Sequence, residues 1–158
     1  MVLVDLGLVA LAIVRLVLAI VFAVGGLYIA SWVLGWLTKN LDEWQEIGKG
    51  NSAVAVYVAG IFISVAIIVG PGIIGLFRTL DIIGIVVGFI QLVVALALAV
   101  AMQYVGLSFL GKLTKGLDEW AELKKGNIAV GIVMAAVVIA IGTIVSQGVI
   151  SIIEALFA

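Results

Sequence analysis

Four carboxylates stand in two adjacent pairs, Asp42-Glu43 and Asp118-Glu119. Paired acids can hold a divalent cation or share acid–base work when they converge with other groups in a pocket. Little else here could join them. The chain has no His, which removes the commonest general base and transition-metal ligand. It has no Cys, so neither disulfides nor thiol chemistry arise. Adjacent acids on a short exposed helix usually form a solvated face. The expectation is therefore a protein that is not an enzyme, with no catalytic residue, metal or cofactor.

Each acidic pair sits in a longer phrase that recurs. LDEWQEIGKGN (41–51) returns 76 positions later as LDEWAELKKGN (117–127). The same offset relates Asp5 to Asp81, Tyr28 to Tyr104, LVLAIVFAV (16–24) to LVVALALAV (92–100), and GNSAVAV (50–56) to GNIAVGI (126–132). The chain reads as a tandem duplication, with units at 1–76 and 77–158 inside one membrane domain.

The elements that carry these phrases are apolar. Of 158 residues, 66% are hydrophobic and 11% charged, with a mean hydropathy of +1.45. Soluble domains run at about 25% charged, so the solvent for most of this chain must be lipid. The net charge of −1 offers no field for nucleic acid. The opening MVLVDLGLVA lacks a basic region and reads as retained structure, not a signal peptide.

Charge-free intervals run from Arg15 to Lys39, Lys49 to Arg78, Asp81 to Lys112 and Lys125 to Glu154. Each holds one span of about 20 residues and none comfortably holds two. The runs are apolar on every face, unlike the alternating strands of a membrane barrel. The fold class expected is all-α: a polytopic membrane protein with four transmembrane helices built from a tandem, parallel two-helix repeat. Asp5–Leu37 and Asp81–Leu113 look too long, about 50 Å as straight helices against about 30 Å of hydrocarbon. Tilt, a break, a kink near Gly25-Gly26, or a protruding turn would absorb the excess.

Two helices per unit give both units the same orientation. The two DEW loops then share one face, and both termini share the other. Lys39, Lys49, Lys112, Lys115, Lys124 and Lys125 cluster on the loop side. The positive-inside rule places the loops in the cytoplasm and the termini outside.

Each loop reads as a short amphipathic helix at the inner surface. Leu41, Trp44 and Ile47 share a face, as do Leu117, Trp120 and Leu123, with Trp44 and Trp120 as interfacial anchors. Glu46–Lys49 and Glu122–Lys125 are i,i+3 pairs. Asn40 with Glu43 fits a capping box, weakened by Gly116 in the second copy. Gly50 and Gly126 suit the left-handed end of the short helix. Asn51 and Asn127 suit the cap of the next span. A second reading makes these helix starts, with their lysines, a seat for an anion or lipid phosphate. Ala55 with Ala59, and Gly131 with Ala135, give small residues four apart for close helix packing. Their expected partner is the first span of the same unit or a neighbouring protomer.

The run Glu46-Ile47-Gly48-Lys49-Gly50-Asn51-Ser52-Ala53-Val54-Ala55 resembles the bacterial and archaeal membrane family called domain of unknown function 350. The run from Glu122 to Gly131 repeats it, departing at Gly131. The resemblance implies a four-span inner-membrane protein of two two-span units with an accessory membrane role, and leaves the activity open.

Charges near the membrane allow several roles. Arg15 is matched by Gln91 at the repeat offset. Arg15 either snorkels to lipid phosphate or lines the outer mouth of an oligomeric, anion-selective pore. It also has a candidate partner in Asp5 of a neighbouring chain. Asp5 and Asp81 read as helix N-caps. Glu154 calls for a salt bridge to Arg78 or Arg15. Gln91 and Gln103 suit hydrogen bonds across helices, and Ser64, Thr143 and Ser146 suit bonds within their own helix. The expected function is a non-enzymatic, homo-oligomeric membrane scaffold, with a cytoplasmic partner at the DEW loops. The alternative is an oligomeric channel with Arg15 at its mouth.

Overall fold

The computed structural model describes residues 5–37, 41–76 and 82–157. They form α1 (Leu6–Leu37), α2 (Glu43–Gly48), α3 (Ser52–Leu76), α4 (Ile82–Leu113), α5 (Glu119–Lys124) and α6 (Ile128–Phe157). The order long, short, long occurs twice, as the repeated phrase requires. Four helices are long and apolar enough to cross a membrane, with candidate spans at Leu6–Trp32, Ser52–Ile73, Phe89–Leu113 and Ile128–Ile152. Helices suit lipid because each satisfies its own backbone hydrogen bonds.

Asp5 caps α1, its Oδ1 accepting from the backbone N–H of Gly7 at 2.8 Å and of Leu8 at 3.3 Å. α1 and α4 each run for 32 residues as one continuous helix, about 48 Å long. Of the ways to absorb that length, a break is the one removed. α3 likewise continues through Pro71.

α3 and α6 form the centre, and they touch through small residues. A Cβ placed on Gly60 would lie 2.6 Å from Ala135 Cβ, and one on Gly131 would lie 2.5 Å from Ala53 O. A Cβ on Gly142 would run into Ser64. Ser64 Oγ donates to Val138 O at 2.8 Å. Residue numbers rise together along the two helices, so α3 and α6 run parallel. Small side chains let the backbones approach this closely, which is how helices associate where lipid removes the hydrophobic drive.

This arrangement corrects the expected partner of one small-residue stripe, that of Gly131 and Ala135. Gly131 and Ala135 pack on α3 of the other unit, not on the first span of their own. Ala59 is exposed and Ala55 only half-buried. The face that α3 uses is instead Ala53, Tyr57, Gly60 and Ser64.

The outer helices are placed unequally. α4 lies against both central helices, with Leu92 near Gly72 of α3 and Gly106 facing Ile141 of α6. α1 leans chiefly on α3, where Gly26 meets Val69. No residue of α1's most apolar stretch is buried, against 33% in α4. The buried apolar cluster joins Tyr57, Ile61 and Val65 of α3 to Leu92 and Leu96 of α4 and to Met134 and Val138 of α6.

Candidate functional site

The two DEW turns hold most of the charged side chains among the described residues. Each short helix starts on an aspartate. Asp42 Oδ1 accepts from Gln45 N at 3.0 Å, and Asp118 Oδ1 from Ala121 N at 3.0 Å. This corrects the expected start at Asn40, which itself lies outside the described residues. Asp42 and Asp118 hold the extended backbone that an N-cap needs, φ −87° and −88°. Leu41 and Leu117 therefore precede the helices and do not share a helical face with the tryptophans. Leu41 is buried and Leu117 exposed.

Of the neighbouring glutamates, one is buried and the other is held locally. Glu43 is buried at 4% exposure. Glu119 accepts a hydrogen bond from Thr114 Oγ1. Among the described residues, no group of three or more His, Cys, Asp or Glu side chains could hold a metal ion.

The far end of each turn is a closed clasp. Gly50 and Gly126 adopt φ +87° and +82°, a region where a side chain would be strained. Gly50 N then donates to Ile47 O at 2.9 Å and Asn51 N to Glu46 O at 3.0 Å. Gly126 N and Asn127 N repeat this with Leu123 O and Glu122 O at 3.1 and 3.0 Å. These bonds satisfy carbonyls that a helix end leaves free. Glu46 accepts from Lys49 Nζ at 2.9 Å and Asn51 Nδ2 at 3.3 Å. Glu122 accepts from Lys125 Nζ at 2.7 Å and Asn127 Nδ2 at 3.0 Å.

The clasps shift proton affinities. The Lys49 ammonium, then the Asn51 amide, hold the Glu46 carboxyl below its ordinary value. For Glu122 the Asn127 amide leads and Lys125 follows. The Glu122 carboxylate in turn raises Lys125.

The runs Glu46–Asn51 and Glu122–Asn127 are thus the clasp itself: Glu, Lys, Gly and Asn at spacings that close one turn. A family model described as Domain of Unknown Function (DUF350) matches residues 6–95 and again residues 84–157. The chain belongs to the DUF350 family. It carries two tandem DUF350 copies. Comparison with curated proteins and with solved structures returned no match.

The two DUF350 clasps are not equivalent. Asn51 Oδ1 caps α3, accepting from Ala53 N at 3.1 Å and Val54 N at 3.2 Å. Its Nδ2 also crosses to the other copy, donating to Leu123 O at 3.0 Å and Lys124 O at 3.3 Å. Among the described residues, Asn127 makes neither the matching cap on α6 nor a bond to Ile47 or Gly48. Its amide is directed to Glu122 alone. The carbonyls of α5 orient the Asn51 carboxamide, whereas among the described residues Asn127 is oriented by Glu122 of its own copy.

The tryptophans differ in the same way. Trp120 meets Tyr57 of the other copy edge-on, centroids 5.7 Å apart at 89°. Trp44 is 56% exposed and lies 6.3 Å from Phe62 of its own copy. Only the second copy's tryptophan works across the joint, a distinction no residue spacing carries.

Within the spans of this DUF350 chain some polar side chains depart from expectation. Gln91 and Gln103 are 5% exposed. Among the described residues, both amide atoms of Gln91 and Nε2 of Gln103 have no hydrogen-bond partner, so the cross-helix bond expected of Gln91 is not formed. Ser64 bonds across to α6 instead of within its own helix. Thr143 and Ser146 bond within theirs, to Ile139 O and Thr143 O. Arg15 is half-buried, with Nε buried and unpartnered. Among the described residues it makes no ion pair with Glu154 of its own chain. Asp81 and Arg78 lie outside the described residues.

Proposed function

We propose that this protein is a non-enzymatic scaffold of the cytoplasmic membrane that works as a homo-oligomer. The observation that supports this is the bare state of α1. Leu16 and Ile20 are 60% and 54% exposed, whereas their counterparts Leu92 and Leu96 are 5% and 8% exposed. Apolar residues at one register are buried in one copy and open in the other. A second chain would cover them. The units 1–76 and 77–158 act as its two building blocks.

The DEW turns then form the cytoplasmic face, with both termini outside, on the strength of the lysines at that end. Their carboxylates are engaged in capping and clasping, which leaves Trp44 and the exposed lysines as the surface for a cytoplasmic partner. The test is the mass of the protein in lipid nanodiscs, where the expected result is a discrete multimer. A monodisperse monomer would remove the reading.

A second reading, an oligomeric channel with Arg15 near its outer mouth, is favoured by one observation. Arg15, Gln91 and Gln103 carry buried atoms without partners, and such groups line polar paths in membrane proteins. Ion flux through liposomes with Arg15→Ala as the paired sample tests it. Flux that Arg15→Ala leaves unchanged would exclude the role of Arg15.

A further inference from the structure

The two polar turns differ in charge as well as in contacts. Residues 36–51 carry two lysines against three acids, and residues 112–127 carry four lysines against three acids. The difference comes from two positions. At the repeat offset, Lys112 stands where the first copy has Trp36, and Lys124 where it has Gly48. The second turn is thus the cationic one of the pair.

Two of the turn lysines are already engaged. Lys125 closes its clasp on Glu122, as Lys49 does on Glu46. Among the described residues, the ammonium groups of Lys112, Lys115 and Lys124 make no ion pair, and all three side chains are exposed. The acids around them have other tasks. Asp118 caps α5, Glu119 accepts from Thr114, and Glu122 accepts from Lys125 and Asn127. Lys124 lies near enough to Glu46 of the first copy to favour its charged form, but that carboxylate is held by Lys49 and Asn51. Three cations of one turn are left to meet an anion from outside.

Their place in the fold narrows what that anion is. Lys112 lies in the last turn of α4, at the end of the candidate span Phe89–Leu113. Lys115 follows two residues beyond the helix. Leu113 and Leu117, which flank it, are 65% and 43% exposed. Cations interleaved with open leucines, where a span leaves the hydrocarbon, match a surface that is anionic at the headgroups and apolar just beneath. A soluble acidic partner answers the lysines but supplies no apolar layer for Leu113.

We infer that the turn joining α4 to α6 is a docking surface for anionic phospholipid. Lys112, Lys115 and Lys124 meet the phosphate groups, and Leu113 and Leu117 meet the acyl chains. The surface belongs to the second copy alone, since Trp36 and Gly48 hold two of the three cation positions in the first. Lipid thereby takes these lysines, and Trp44 remains for a cytoplasmic partner. The inference holds for a monomer as for a multimer, so the nanodisc mass leaves it untouched.

The test is lipid retention. The whole chain is purified in neutral detergent with equal amounts of phosphatidylglycerol and phosphatidylcholine, washed, and the lipid that stays is extracted and quantified. The expected result is several-fold more phosphatidylglycerol, lost in Lys112→Gln/Lys115→Gln/Lys124→Gln. Arginine at the same three positions should keep it, which separates lost charge from a damaged fold. An unchanged preference in the glutamine variant would overturn the inference and return these lysines to an acidic protein partner. Lys115→Gln should lose more than Lys49→Gln; equal losses would show that total charge sets the preference and would overturn the assignment to this turn. A wash at about 1 M salt should erase the wild-type preference by screening. A preference that survives that wash would overturn the inference whether or not the variants fold. Inorganic phosphate at matched ionic strength should not displace the lipid; displacement would mark a seat for free phosphate and overturn the lipid assignment.

Discussion

Asn51 of the first copy donates its amide to the Leu123 carbonyl of the second at 3.0 Å, while its oxygen caps α3. One residue thus ends one element through its backbone N–H, starts the next with its side-chain oxygen, and ties the two copies together at their polar end through its amide.

Loss of that side chain has two separable effects. Asn51→Ala should cost about 1 kcal/mol for the cap and about 1 kcal/mol more for the bond across the joint. Asn51→Ser keeps a capping oxygen but cannot span the joint, so it should lose only the second part. Asn127→Ala should cost less than Asn51→Ala, because Asn127 makes neither contact. Thermal unfolding in detergent ranks the three.

Glycine positions in the spans should divide sharply. Gly60→Ala brings a methyl against Ala135, and overpacking of this kind costs about 1–3 kcal/mol. Gly25→Ala has nothing within 4 Å to meet. It should be neutral or stabilising by about 0.5–1 kcal/mol, because Gly is the poorer residue inside a helix. Equal effects at both sites would contradict the close approach of α3 and α6.

The clasps should make stability depend on acidity. Glu46 and Glu122 hold folded values below the ordinary 4.5. Their contribution is full above that value and is lost as pH falls through the lowered one. Lys125, raised from its ordinary 10.5, contributes below that value and loses its part as pH climbs through the raised one. Unfolding midpoints measured downward from pH 6 should fall in the wild type, and fall less in Glu46→Gln/Glu122→Gln. Parallel curves would show that the clasps carry no linked proton.

The aromatic contact across the joint should exceed the one within a copy. A double-mutant cycle on Tyr57 and Trp120 should give about 0.5–1.5 kcal/mol of coupling, typical of edge-on rings. Trp44→Ala alone should cost less than Trp120→Ala, given how exposed Trp44 is.

The duplication, the four apolar helices and the left-handed Gly50 and Gly126 were legible because each leaves a local signature: an offset, a length, a Gly-Asn step. Asp5 as a cap was legible for the same reason. The capping residue of α2 was not, since Asn40 and Asp42 both suit the role and only backbone angles choose between them. The face by which α3 meets α6 was also hidden. In a soluble helix polarity marks the outer side. These helices are apolar all round, so Ala55-Ala59 and Ala53-Gly60 look alike on paper. The choice rests on how two backbones fit, as does the turn of Ser64 toward Val138 O.

The mismatch of faces at the joint also bears on how the two copies have diverged. Between identical, unfused units that meet through one shared face, any change in that face alters both sides of the contact together. Because α3 and α6 contribute different faces, Tyr57 can differ from Val133 and Phe62 from Val138 without disturbing the contact that joins the copies. Duplication thereby separated one surface into an inner edition and an outer edition, each free to be rewritten by single substitutions.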